Sequence, residues 1–217
     1  MIELHQHSRI QRRNREAILE AALGAFSDAG FAGTTLDRIA ERAGLSKPNV
    51  LYYFASKEQI YTTLLDALLH RWLEPLAALS PEGEPVEELL RYVHAKLEMS
   101  RIMPRESRLF AGEILHGAPH MLPSIKSYLA QLLEEKSAVI AAWVAEGRLA
   151  PVEPRHLLFS IWATTQHYAD FDVQVRSLLR PKRDQHFEEA ARFLEDMYRR
   201  TLTPVDVALP DATERDF

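Results

Sequence analysis

TTLDRIAERAGLSKPNVLYYFASK, residues Thr34–Lys57, is the stretch from which the rest of the chain can be read. Ile39, Ala40 and Ala43 recur at helical spacing and give its first half one apolar face. Gly44 then supplies a left-handed residue at which a Cβ would be strained, and the chain turns. Ser46 suits an N-cap, and Pro48 falls in the first turn of the next helix, where a missing N–H costs little. Val50 and Leu51 are expected to face inward, leaving Lys47, Asn49, Tyr52 and Tyr53 on the outer side. Ser56-Lys57-Glu58-Gln59 reads as a capping box that opens a further helix. Two short helices about a tight turn, the second with polar and aromatic residues in its first turns, suit entry into a DNA major groove. A plain helical corner would share the same turn chemistry.

The charge distribution favours the groove. The chain of 217 residues has a net charge of −5, against a nucleic-acid partner at first sight. Residues 1–60, however, hold eight Lys and Arg against seven Asp and Glu, net +1; the remaining residues hold eighteen against twenty-four, net −6. Arg9, Arg12, Arg13 and Arg15 form a basic arm ahead of Glu16, suited to phosphate or minor-groove contact. With no cysteine, disulfide and thiolate chemistry are excluded. The N-terminus has no apolar leader and no apolar run approaches membrane length, so a cytoplasmic protein is expected.

With eight glycines and few alternating β-branched runs, the chain is expected to be all-α, with about nine helices. A first helix runs from about Gln11 to Ala29; Phe31 after it plugs the small core of the N-terminal domain. A fourth helix runs from Ser56 through Leu76, with Pro75 kinking or ending it. SPEGEP, Ser80–Pro85, is the clearest linker. Helices follow through Leu97 and through RESRLFAGEIL; a long one spans Leu122–Glu146, another starts at Pro154 and continues through Val175, and a last covers 184–200. The expected domains are residues 1–55 for the arm and helix-turn-helix, 56–203 for a helical bundle, and 204–217 for a flexible tail.

GFAGTTLDRIAERAGLSKPNVLYYFASKEQIY, residues 30–61, resembles the DNA-binding segment of TetR-family regulators almost position for position. The resemblance implies a three-helix reader on a larger bundle, and a homodimer whose last two long helices, near 155–178 and 184–200, pair with their copies. It places Lys47, Pro48, Asn49 and Tyr52 on the recognition helix. Asn49 suits a bidentate pair with adenine, and Tyr53 and Lys57 suit phosphate contacts. Arg38 would reach a phosphate or a base edge, and the hydroxyls of Thr34 and Thr35 would cap the second helix or bond a phosphate. Double-stranded DNA is thus the expected partner.

A second polar feature lies in FSIWATTQHYADFDV, residues 159–173: Trp162, Gln166 and Asp170 fall on one face of an otherwise apolar helix. The adjacent acceptor and donor of a buried Gln match a small ring with neighbouring N–H and C=O groups, such as an imide, lactam or pyrimidine. Trp162, with Trp72 on the fourth helix, would give flat walls. A core or dimer-interface network would look the same. The family resemblance extends into the bundle through WLEPL, KLEMSR, SRLFAGEILHGAP and the segment 134–171. There it implies a pyrimidine effector, uracil or thymine, whose binding releases the protein from its operators. Trp72, Leu76, Phe110, Glu113, Trp162, Gln166 and Asp170 make up the expected effector set. A drug, fatty acid or acyl-CoA would suit the family equally, although the polar face speaks against a greasy pocket.

No cofactor, metal or enzymatic activity is expected. Glu134-Glu135 and Glu188-Glu189 read as solvated helix faces, and no Ser/His/Asp set or phosphate loop stands out. His116 and His120 have ligand spacing, but Gly117 and Pro119 break the helix that would align them.

Overall fold

The computed structural model describes residues 2–204, with side chains from residue 9 onward; all regular structure among them is helical. The order is α1 (Ile2–Ala29), α2 (Leu36–Ala43), α3 (Lys47–Tyr53), α4 (Lys57–Ala77), α5 (Pro85–Ile102), α6 (Pro104–Leu115), α7 (Leu122–Ser124), a π-turn (Ile125–Leu129), α8 (Ala130–Ala145), α9 (Pro154–Asp170), α10 (Asp172–Leu179) and α11 (Gln185–Leu202). No described helix is long and apolar enough to cross a membrane.

Local chemistry sets the ends of the first helices. The Thr35 hydroxyl accepts the Arg38 N–H and caps α2, and Gly44 closes it at φ 65°. Ser46 caps α3 by accepting the Asn49 N–H, and Ser56 caps α4 by accepting the Gln59 N–H. Gln59 reaches back one residue further than a standard capping box, its Oε1 accepting the Ala55 N–H at 2.6 Å. Pro75 falls in the last turn of α4, which stops at Ala77.

Four expectations need correction. First, α1 begins well before Gln11, so the basic arm is helix; within it the Arg15 guanidinium lies 4.3 Å over the Phe54 ring and Arg12 pairs with Glu16. Second, the helix expected over Leu122–Glu146 is divided by the π-turn, and the one from Pro154 breaks at Phe171. Third, Leu51 faces outward, 40 % exposed. Fourth, SPEGEP is pinned: Trp143 Nε1 donates to Pro81 O, Lys136 Nζ to Leu79 O and Arg148 to Gly83 O, while the buried Glu88 carboxylate accepts the Ser80 N–H. Donors from α8 and the turn after it bond this largely exposed loop and the Leu79 carbonyl just ahead of it. Residues 205–217, and the side chains of His5 and His7, lie outside the described residues.

One apolar core runs through the molecule, from Ile18, Phe26 and Val50 at the N-terminal end through Leu65, Val93 and Ile140 to Leu158 and Leu202. α5 lies at its centre, packed by α4, α9 and α11. α6 crosses the junction: it packs on α1 on one side and α9 on the other, with Arg105 paired to Glu20 of α1 at 2.8 Å.

Candidate nucleic-acid interface and effector site

The outer face of α3 is exposed because its inward residue, Val50, is fully buried while its neighbours are not. Lys47 is held by Asp37 at 2.9 Å, an exposed pair of small energetic weight that a phosphate can displace. Asn49 leaves its side-chain amide without a hydrogen bond among the described residues, and Pro48 beside it is exposed. Tyr52 is 71 % exposed, its hydroxyl accepting from Gln11 Nε2; the Tyr53 hydroxyl accepts from Asn14 Nδ2. Arg38, half-buried, lies 4.0 Å from Asp28, whose carboxyl is held below its usual range chiefly by a hydrogen bond from Arg42. Thr35 is exposed and capping.

Two expected DNA contacts are internal ties. Thr34 is 1 % exposed and its hydroxyl bonds Ala25 O and Gly30 O, so reaching a phosphate would unmake the end of α1. Lys57 Nζ donates to Phe31 O and Thr34 O and lies 4.2 Å over the Phe31 ring. It satisfies carbonyls of the α1–α2 turn and is committed there.

On the bundle side, the structure brings Trp72, Phe110, Trp162, Gln166 and Asp170 into one neighbourhood between α4, α5, α6 and α9. The Phe110 ring packs 5.1 Å from that of Trp72, and together with Gln166, Asp170 and Phe171 it lines an open cleft of about 460 Å³. Trp162 Nε1 donates to the buried Tyr92 hydroxyl at 2.6 Å. Asp170 accepts from Ser107 Oγ at 2.5 Å, and burial pushes its carboxyl above the ordinary range. Gln166 carries no hydrogen bond to another described residue.

Sequence reasoning missed Lys96, at the heart of this group. It is 4 % exposed, and its Nζ lies 4.6 Å over the Trp72 ring. Among the described residues the ammonium has neither a hydrogen-bond acceptor nor an ion pair; burial lowers its pKa to about 8, opposed only by the charge of Asp170. Trp72 Nε1 is also buried without a partner. The signal was present: Lys96 stands three residues after Val93 and seven after Leu89, a lone cation on the apolar stripe of α5.

Glu113 and Leu76 do not belong to this neighbourhood. Leu76 is sealed in the core at 0 % exposure. Glu113 points from α6 the other way, accepting the Tyr61 hydroxyl at 3.1 Å and the His120 N–H at 2.6 Å. Burial first, and then the Glu113 charge, raises the Tyr61 pKa. Around this knot the rings of Phe26, Phe31, Tyr61 and His120 pack edge-on or tilted against one another, closing the junction between α1, α4 and α6. Phe31 is thus a junction residue rather than a plug within the N-terminal core. His116 and His120 sit in the turns after α6, and no group of His, Cys, Asp and Glu among the described residues is arranged to hold a metal.

Comparison with known proteins covers both ends of the chain. Residues 18–64 match the family described as bacterial regulatory proteins, tetR family, and residues 65–205 match the YcdC-like protein, C-terminal region. Over 173 residues the chain is 49 % identical to the HTH-type transcriptional regulator RutR of Escherichia coli K12, spanning 80 % of this chain and 82 % of that protein. A TetR family transcriptional regulator from Pseudomonas syringae pv. tomato DC3000 superposes with a TM-score of 0.60 at 28 % identity, covering 87 % of this chain and 96 % of that one. AibR, solved with isovaleryl coenzyme A and operator DNA, shares the fold at a TM-score of 0.62 and 20 % identity, covering 85 % and 97 %.

Proposed function

The chain belongs to the TetR family of bacterial transcriptional regulators, and on that premise we propose that it is a cytoplasmic, dimeric repressor released from a palindromic operator by a small pyrimidine such as uracil or thymine. As a family member it is a DNA-binding regulator and not an enzyme. The pyrimidine reading is supported by one observation: Lys96 Nζ and Trp72 Nε1 are buried donors without an acceptor among the described residues, and Asp170 is near enough to act on the Lys96 charge. A buried polar group without a partner costs on the order of 1–3 kcal/mol, and a ligand that satisfies both regains it. A pyrimidinedione presents two carbonyls to donors and two N–H groups to acceptors, with a flat face for the Phe110 ring.

The DNA contacts proposed are Asn49 and Tyr52 toward bases, with Lys47, Pro48, Tyr53, Thr35 and Arg38 around them. A second copy of the chain would cover Phe159, Phe171, Leu178 and Phe193, large apolar residues left exposed on α9, α10 and α11. Two-fold symmetry would set the recognition helices about 34 Å apart. α6 is the route of coupling. It carries Ser107 and Phe110 on the effector side, Glu113 at the Tyr61 knot, and Arg105 on α1. A shift of α6 worth about 1–3 kcal/mol lowers operator affinity about 5- to 150-fold.

Calorimetric titration with uracil, thymine, cytosine and an acyl-CoA tests the effector. Saturable heat from uracil, with loss of operator binding at the same concentrations, is the expected result. Heat from the acyl-CoA alone would instead favour the hydrophobic-ligand reading.

A further inference from the structure

A lysine with its ammonium in the core ordinarily sits against a carboxylate; Lys96 does not. The nearest facing charge is Asp170 of α9, which acts on it without forming an ion pair and is itself tied to Ser107 of α6. Arg108 of α6 and His167 of α9 face Asp170. α4 contributes only the Trp72 ring and its unpartnered N–H, and Tyr92, one turn back on α5, has its hydroxyl occupied by Trp162. The site therefore holds a desolvated cation and an indole donor that together lack a counter-charge.

We propose that Lys96 is the specificity-determining residue of the effector site and that it takes a cyclic imide as its anion, with the ring's charge delocalised onto the two flanking carbonyl oxygens. This deepens the pyrimidine reading and rests on it. The imide N–H loses its proton and keeps the electron pair. The proton passes to the neutral Lys96 amine or, where the lysine is already an ammonium, leaves to solvent. Either way the bound state is an ammonium beside an imide anion. One carbonyl oxygen accepts from Lys96 Nζ and the other from Trp72 Nε1. Asp170, whose carboxyl burial raises above its ordinary value, is held by Ser107 and forms no ion pair with Lys96. Rings of equal size and shape are then sorted by N–H acidity, which a site of neutral hydrogen bonds would not do. Cytosine, which lacks the imide, is excluded on the same ground.

The test uses the full-length protein and three rings of nearly the same size, uracil, 5-fluorouracil and 6-azauracil, the latter two being the stronger acids. Calorimetry gives affinity and ultraviolet difference spectra report the ionisation state of the bound ring. The expected result is affinity rising about tenfold for each unit of acidity, with the bound ring showing the weakened absorption of its imide anion rather than the red-shifted band of an anion formed at the other ring nitrogen. Lys96→Met should flatten that series. Equal affinity for all three rings, with neutral-ring spectra, would overturn the proposal while leaving a pyrimidine sensor intact. No binding of any of the three would overturn the pyrimidine reading itself, and this proposal with it. The spectra are read on the unsubstituted protein, so the outcome does not depend on the variant folding.

Discussion

The two ends of this regulator handle polar residues in opposite ways. On α3 the working side chains are exposed, each is positioned by its own short helix, and the surrounding ion pairs are weak enough to exchange for phosphates. Between α4, α5, α6 and α9 Trp72, Tyr92, Lys96 and Ser107 are buried and Trp162, Gln166 and Asp170 half-buried; they come from segments far apart in the chain, and two of the donors have no partner among the described residues. The reader thus tolerates water until DNA displaces it. The proposed effector site holds buried donors without a partner among the described residues, which a ligand of matching chemistry would satisfy. The same contrast predicts where substitutions will be felt.

The largest expected effect is at the junction, where the two ends share one core. Phe26 is 1 % exposed and contacts both Phe31 and Tyr61. Phe26→Ala should cost about 3–5 kcal/mol in denaturant unfolding. A single shifted transition is expected, because the core is continuous from Ile18 to Leu202. Two separated transitions would break the comparison by making the reader an independent folding unit.

Next in size is a gain. Lys96→Met removes an unpaired buried cation and keeps the stem's volume, so the apo protein should become about 1–4 kcal/mol more stable near neutral pH. Lys47→Met on the reader should stay within about 0.5 kcal/mol, since that charge is solvated. The pH dependence has a definite sign. Burial pushes the Lys96 ammonium down to about 8 from the ordinary lysine value of 10.5, so the unfolded chain binds more protons between those values. The wild-type deficit is therefore full below about pH 8 and shrinks as pH rises toward the upper value. A difference between the wild-type and Lys96→Met midpoints that stays constant across that window would contradict the assignment of an unpaired ammonium.

Legibility in the sequence follows the same divide. The reader's turn chemistry is local, so Thr35, Gly44, Ser46, Pro48 and Ser56 each sit where their backbone preferences put them. What failed there was tertiary: Thr34 and Lys57 bear the right atoms for phosphate but spend them on carbonyls contributed by the end of α1 and the turn after it. In the bundle, the spacing of Trp162, Gln166 and Asp170 exposed a polar face. It did not tell which helix would oppose that face, so Lys96, Tyr92 and Ser107 were missed. Glu113 was misplaced because an α6 residue can face either neighbour, and periodicity does not say which. SPEGEP has a linker's composition, yet α8 and its following turn bring Lys136, Trp143 and Arg148 onto its carbonyls.

Asn49→Ala sharpens the comparison from the reader's side. Its amide has no internal role among the described residues, so stability should move by no more than about 0.5 kcal/mol. Operator affinity should fall by about 1–3 kcal/mol, most strongly on sites with the matching adenine. Effector affinity, measured by calorimetry without DNA, should not change. Equal loss on specific and random DNA would move Asn49 from base reading to backbone contact.

The smallest effect lies at the start of α11, where His186 is 1 % exposed and neither ring nitrogen has a hydrogen-bond partner. Burial, with the nearby Arg176 charge, holds its pKa below the usual histidine value of 6.5, against the weaker opposing charges of Asp172, Asp184 and Glu189. The folded state therefore favours the neutral ring. Its contribution is fully present above the unfolded value, and it is lost as pH falls from there toward the lower folded one. The chain has eight other histidines, so the useful quantity is a difference between two proteins. Between about pH 7.5 and 5.5 the wild-type denaturation midpoint should fall further than that of His186→Leu. Parallel midpoints would mean that His186 gains a partner on protonation. Because α11 is one of the helices proposed to meet its copy, that partner would then be sought across the dimer.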